Sequence, residues 1–393
     1  MSTESKIHHF NPQHILRNFL LDGEHCLQVL DKEKERVFPC PVKAAGQEKH
    51  FNTVSVEGER VNLEHVFQDI DAAQSVLIRE VVSQRSIDFL SQEEVELLAH
   101  LMVVQMLRVK SIRQSLESFP AQMEDHLKDL GVDTPTVQSI DENESRIQSF
   151  SILAKCDQHT KHVVDKDIIL FVAPAGRWFW TSDNPIWIYN EFGTNDIGLA
   201  CKGVRINWPI AKDLLISFAC PSICNKIDHS DPKLAQFFRN KPTVACTPSQ
   251  IAMYNLSQLS NCTRFVYAPS NNYTDAMEHL KRHPRMKGSK SFLRVGLPTR
   301  SSGDDTETLM VFGASTVYRC EVESIDDRGL EITVKVKTNA EKELKHALSD
   351  SPHSEIRIME GNNERHVMRN VEIQPNSNDP LVVDIRHAWP DLR

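Results

Sequence analysis

The chain has 393 residues, 40% of them hydrophobic and 25% charged, with a net charge of −9. That length suggests two or three domains at about 100–200 residues each, and the composition is that of a soluble globular protein with a real core. The acidic balance excludes a global basic field that would gather nucleic acid or an anionic membrane, and no apolar run reaches the roughly 18–20 residues of a membrane span.

The opening MSTESKIHHF lacks the apolar stretch of a secretory signal, so the expected location is cytoplasmic. Nine scattered cysteines are expected to be reduced and mostly buried. LQVLDKEKERVF reads as a hairpin around a charged turn. Leu63, Phe67, Ile70, Leu77 and Val81 keep helical spacing behind Asn62, a candidate N-cap. Ser91 and Glu94 form a capping-box pattern ahead of an apolar stripe through Leu98, Leu101, Met102 and Ile112, read as one long helix antiparallel to the previous one. A further helix is expected to end near Gly131, and RIQSFSILAKCDQHTKHVV reads as another.

The pattern then turns to strands in DIILFVAP, GLACKGVRINWPI and DLLISFAC. Thr247-Pro248 starts a helix, because proline at the first helical position gives up no hydrogen bond, and TRFVYA closes the region as a strand. Residues 271–290 read as a connecting helix and linker. Residues 291–393 read as a mostly β domain, with strands in FLRVGLP, ETLMVFG, TVYRCEVESI and onward, and a hairpin in ESIDDRGLEI. The expected fold is therefore α+β: a helical N-terminal layer on a mixed sheet over residues 1–270, followed by the small β domain.

Three stretches could carry chemistry. HHFNPQHILRNF, residues 8–19, packs three histidines, a proline and four large apolar residues into a place where chains usually fray. Pro12 keeps His8–Asn11 extended, and Ile15, Leu16 and Phe19 anchor the turn that follows. The stretch either presents His9 to a cleft or is a plug with surface histidines. WFWTSDNPIWIY holds three of the five tryptophans and ends an aromatic strand on Ser182-Asp183. Asp183 there is a metal ligand or general base, or else shapes an Asx-turn. Gln105 and Arg108 lie three apart on one helix face, where a carboxylate such as Asp71 could pair the arginine or the arginine could hold an anion.

Taken in order, HHFNPQHILRNF, Gln105 and Arg108, TSDNPI, NWPIAKDLLISF and YNLSQLSNCTRFVYA resemble the family filed as domain of unknown function 4238, over roughly residues 6–270. The family pattern begins with His-x-x-Pro and Leu-x-x-Phe and later carries Thr-Ser-Asp-x-Pro. The resemblance picks out His9, Pro12, Leu16, Phe19, Gln105, Arg108, Ser182, Asp183, Pro185 and Asn255. Two departures are His14, where an aromatic residue is common, and Asp71, where a glutamate is expected. The β-rich C-terminal part is not covered.

With these positions marked, the expected activity is phosphodiester hydrolysis, nuclease-like or nucleotide-processing, by a conditional effector whose β domain senses or recruits. Asp183 would hold a divalent cation or activate water, His9 would move protons, Arg108 would grip the anion with Gln105 beside it, and Ser182, Asn255 and Asp71 would line the binding site. The partner class is nucleic acid or nucleotide, with no membrane. The competing reading is a non-enzymatic binding module in which the same polar residues are structural.

Other signals in the sequence are weaker. Arg60 and His65 have an Arg-x4-His spacing that one match in 393 residues reaches close to chance. Cys220, Cys224 and His229 make only one of the two ligand pairs that zinc usually wants. LKRHPRMKGSK, residues 280–290, is a solvated linker and also the best local place for a nucleic-acid backbone. No Walker loop, Gly-x-Gly-x-x-Gly or Gly-x-Ser-x-Gly is present.

Overall fold

Strand alternation sorts the first three residues of the fold: in β1 (Ile7–His9) Ile7 is exposed, His8 is fully buried and His9 is half-buried. The computed structural model describes residues 6–129, 139–191, 198–228 and 231–288, and beyond these seven strands between 307 and 388. Pro12 holds extended backbone and opens a short helix, α1 (Gln13–Arg17). The expected hairpin follows as β2 (Cys26–Asp31) and β3 (Arg36–Pro41), with Asp31 opposite Arg36. After them come β4 (Gln47–Lys49), which pairs with β1, and a second hairpin, β5 (Thr53–Val56) and β6 (Glu59–Asn62). Six short strands thus precede the first long helix; β2 and β3 are the expected hairpin, while β4, β5 and β6 add strands to what was expected as a helical layer.

The helices are α2 (Glu64–Gln84), α3 (Gln92–Leu107), α4 (Lys110–Asp129), α5 (Glu142–Leu153) and α6 (Cys156–Val164). Asn62 caps from one residue further out than a usual N-cap: its Oδ1 accepts the Glu64 N–H at 2.9 Å. The Ser91–Glu94 capping box forms as expected. The single long helix expected here is two, because the chain turns at Arg108 and Val109 between α3 and α4. α4 then runs through Pro120 to Asp129, so QMEDHLKD extends α4 and does not start a new helix; Gly131 lies outside the described residues. The next expected helix is also two, α5 and α6.

α3 buries only Val95, Leu98 and Ala99 in its first half, and then every residue from Leu101 to Leu107. The chain continues with β7 (Asp167–Val172), β8 (Thr181–Ser182), β9 (Trp187–Asn190), β10 (Val204–Ala211) and β11 (Leu214–Ala219). They are followed by α7 (Pro221–Asp228), α8 (Pro232–Arg239), β12 (Thr243–Ala245), α9 (Pro248–Asn261), β13 (Phe265–Ala268) and α10 (Thr274–Arg282). A five-stranded mixed sheet has the order β12-β7-β11-β10-β9, with β12 parallel to β7. A four-stranded sheet has the order β3-β2-β13-β8. The main core joins Leu16 and Phe19 to Leu98, Leu101 and Met102 of α3 and to Trp208, Ile216 and Phe218 of the larger sheet. The unit is α+β, with ten helices and several small sheets among the described residues.

A second compact unit consists chiefly of residues 297–393. Its strands are β14 (Glu307–Phe312), β15 (Val317–Asp327), β16 (Glu331–Lys337), β17 (Glu355–Glu360), β18 (Asn363–Met368), β19 (Glu372–Pro375) and β20 (Val382–Ala388). They form one sheet in the order β18-β17-β14-β15-β16-β20-β19. The hairpin read in ESIDDRGLEI is β15–β16. FLRVGLP lies outside the described residues.

Candidate functional site

The N-terminal stretch is stitched into the protein by its backbone and its amides. Phe10 and Asn11 each donate a backbone N–H to Gly46 O, at 3.0 and 3.1 Å. Gln105 Nε2 on α3 donates to Phe10 O at 3.0 Å, Asn11 Nδ2 donates to Ser182 O at 2.6 Å, and Asn18 Nδ2 donates to Ile210 O at 3.0 Å. With Leu16 and Phe19 wholly buried, the stretch ties helix, loop and the two larger sheets together. His9 Nε2 lies 3.2 Å from Lys43 O and 3.2 Å from Gln13 Nε2. The fully buried histidine is its neighbour: His8 Nδ1 accepts the Asn52 N–H at 2.8 Å.

Arg108 sits at the C-terminal end of α3, where its side chain turns back into the protein. Nε donates to Gln105 Oε1 at 2.9 Å and Nη1 to Asp71 Oδ1 at 2.6 Å, while the guanidinium covers the Phe67 ring at 5.5 Å. The structure therefore unites Gln105, Arg108 and Asp71. His14 faces the same group, and burial, aided by the Arg108 charge and opposed by that of Asp71, lowers its pKa from 6.5 to about 4. Among the described residues, His14 Nε2, Gln74 Oε1 and Arg108 Nη2 are buried without a hydrogen-bond partner.

Asp183 follows β8, a strand of only Thr181 and Ser182; the aromatic run Trp178–Trp180 ahead of it, expected as strand, is not in one. Its Oδ1 accepts the Thr263 N–H at 2.8 Å; its Oδ2 accepts those of Arg264 at 2.8 Å and Phe265 at 2.9 Å. The carboxylate thus receives the chain as it leaves α9 and enters β13. Burial raises its pKa, and the three N–H groups pull the other way. Ser182 Oγ donates to Asn184 O at 2.8 Å and accepts from Gln258 Nε2. Asn255 bridges the Trp178–Trp180 backbone: Nδ2 donates to Trp178 O at 2.9 Å and Oδ1 accepts the Trp180 N–H at 2.8 Å.

A cleft of about 720 Å³ lies beside these groups. Its lining includes the rings of Phe10, Phe38 and Phe265, the cations Lys110, Arg264 and Lys287, and Asp183. Arg264 is committed to Asp31 through two bonds of 3.0 and 2.8 Å. Lys110 meets Glu48 at 2.6 Å and Lys287 meets Glu35 at 2.9 Å, both pairs partly in solvent. Of the residues expected to act, Asp183 lines the cleft; His9, Gln105 and Arg108 are not among the described residues that do. Sequence reasoning missed Lys110 and Phe38, which no motif marks, and singled out residues 280–290 without seeing that Lys287 turns inward.

The weaker signals resolve plainly. His65 is exposed and its Nδ1 lies 3.1 Å from Asn62 O. Cys220 Sγ accepts the Ser222 hydroxyl at 3.1 Å; Cys224 is buried, and burial with the nearby Asp167 pushes its thiol up to about 12. His229 lies outside the described residues. No described helix is long and apolar enough to cross a membrane. No curated protein and no solved structure matches this chain. The family model described as protein of unknown function, DUF4238, matches residues 7–272, and the chain belongs to that family.

Proposed function

We propose that the first compact unit is a binding domain for a small phosphate-bearing ligand of nucleotide size, held in the cleft beside Asp183. The cleft itself carries this reading: its volume falls in the range of ligand sites, and it sets aromatic rings beside cations. Half-buried Phe38 and Phe265 offer apolar contact to a base, while Phe10 is buried against Phe51, and Glu33 and Glu48 line the cleft with the cations. Lys110 and Lys287 offer charge, each held only by a partly exposed glutamate that a phosphate can replace at a cost of about 1 kcal/mol or less. A reducing compartment suits the eight described cysteines, all of which are free thiols.

Hydrolysis of a phosphodiester is a second reading, favoured by one observation. Asp183 lines the cleft and its Oδ1 accepts a single N–H, which leaves one lone pair for water or a divalent cation. His9 and Arg108 then serve the architecture, and Asp183 acts without them.

Calorimetric titration of the full chain with adenine and guanine mononucleotides, a dinucleotide and the matching nucleosides tests both readings. Binding of the phosphorylated compounds is expected, with Lys110→Glu weakening it about tenfold, the worth of one charged contact. Absence of binding by every phosphorylated compound overturns the proposal. Turnover of the dinucleotide with magnesium or manganese, lost in Asp183→Asn, would raise the binding domain to an enzyme.

A further inference from the structure

Away from the cleft, α3 and α6 pack side by side and bring together three side chains with metal-binding atoms. His100 comes from the one partly exposed side of α3; Cys156 and Asp157 open α6. Their ligand atoms all lie within 4.8 Å of one another. His100 Nδ1 and Asp157 Oδ1 are 3.3 Å apart. A tetrahedral zinc ion, with Zn–S near 2.3 Å and Zn–N or Zn–O near 2.0–2.2 Å, needs ligand-to-ligand edges of about 3.3–3.6 Å. One edge is already at that length, and the others, at most 4.8 Å, have to close by at most about 1.5 Å. Asp157, exposed over 85% of its side chain, is free to rotate, while half-buried Cys156 is anchored against the main core.

We infer that His100, Cys156 and Asp157 form a binding site for a zinc-type divalent cation that joins α6 to α3. The donor set of one imidazole, one thiolate and one carboxylate matches a borderline-soft metal and suits neither calcium nor magnesium, which want oxygen alone. Binding forms the metal–sulfur bond as the thiol proton leaves to solvent. Three protein ligands leave the fourth position to water. An ion pair between His100 and Asp157 is the alternative, but at that exposure a pair contributes little and gives no role to the thiol beside it.

Cobalt(II) is the probe, because thiolate ligation gives it a charge-transfer absorption and four-coordination gives intense visible bands. Titrating the reduced full-length protein with cobalt chloride is expected to produce both, saturating near one equivalent and reversed by zinc. Cys156→Ser, a change of one atom, is expected to abolish the charge-transfer band with the circular dichroism unchanged. Asp157→Asn, fully compatible with the exposed helix start, is expected to weaken binding at least about tenfold, as loss of even an outer contact to a metal ligand does. A wild-type protein without the charge-transfer band overturns the site. So does a band that persists in Cys156→Ser, since the thiolate then belongs to another cysteine.

Discussion

His14 shows what a single buried side chain does to the whole protein's response to acid. It lies among Asp71, Arg108 and Gln74, and its folded pKa is about 4 against 6.5 for a free imidazole. Below pH 6.5 the unfolded chain takes up a proton at His14 that the folded chain refuses until about pH 4. The unfolded state then binds more protons, so stability falls as pH drops through that window and is unaffected above it. His14 keeps part of its surface in solvent, which trims the loss to an order of 1–2 kcal/mol. Urea unfolding of wild type and His14→Phe, compared from pH 7 to pH 4.5, is expected to show wild type losing that much more stability. Parallel pH profiles would mean that the imidazole titrates normally in the fold. Asp183 teaches a related lesson. The sequence placed it at a strand end and left open whether it serves chemistry or a turn. Its three N–H donors come from residues 263–265, about eighty positions away, and no local pattern announces such partners.

At the scale of elements, the turn at Gly46 is what lets the N-terminal stretch dock. Gly46 has φ +61°, and a Cβ built there would overlap the Asn11 side chain. Its carbonyl receives the Phe10 and Asn11 N–H groups, and its own N–H lies 3.3 Å from Tyr267 Oη. Gly46→Ala is expected to lower stability by about 2–3 kcal/mol, from a left-handed backbone and an overpacked contact together. Gly58→Ala is the control. It also has positive φ, +87°, but nothing stands within 4 Å of its added Cβ, so it should lose only the backbone part, about 1 kcal/mol. Equal losses in thermal melts of the two variants would deny the docking contact any weight. The same scale shows where reading the chain worked and where it failed. Capped helices and alternating strands were legible: Ser91 with Glu94, the helix start at Thr247-Pro248, and the β2–β3 hairpin all form as their residues dictate. The break at Arg108–Val109 was not, since the apolar stripe runs on into Ile112 and only the pull of Asp71 on the arginine marks the turn. The hairpin at residues 53–62 escaped for a similar reason: it is short and mostly exposed, so it lacks an apolar stripe.

For the molecule as a whole, the family match ends before the fold that it describes is closed. Residues 7–272 contain the four described sheets of the first unit, but α10 begins at Thr274. Ala276 and Leu280 of α10 are wholly buried against Leu30, Leu259 and Val266, and Tyr273 just ahead of it donates its hydroxyl to Gln28 O at 2.8 Å and Val266 O at 3.1 Å. Those contacts cover β2 and β13, the two central strands of the four-stranded sheet. Every residue of the described hydrophobic clusters lies between Ile15 and Met286. A chain cut after residue 288 keeps all of them, and one cut after residue 272 uncovers the sheet. The shorter chain forfeits two fully buried aliphatic side chains and opens the sheet face to water, a loss on the order of 5 kcal/mol, most of what holds an ordinary domain folded. Residues 1–288 are therefore expected to unfold in urea in one cooperative transition, with near-ultraviolet dichroism from the packed tryptophans, and residues 1–272 to lack that signal or to melt far earlier. Equal stability of the two would show that α10 is an ornament on the unit. A 1–288 chain without cooperative unfolding would show that the first unit needs the β-rich remainder to fold.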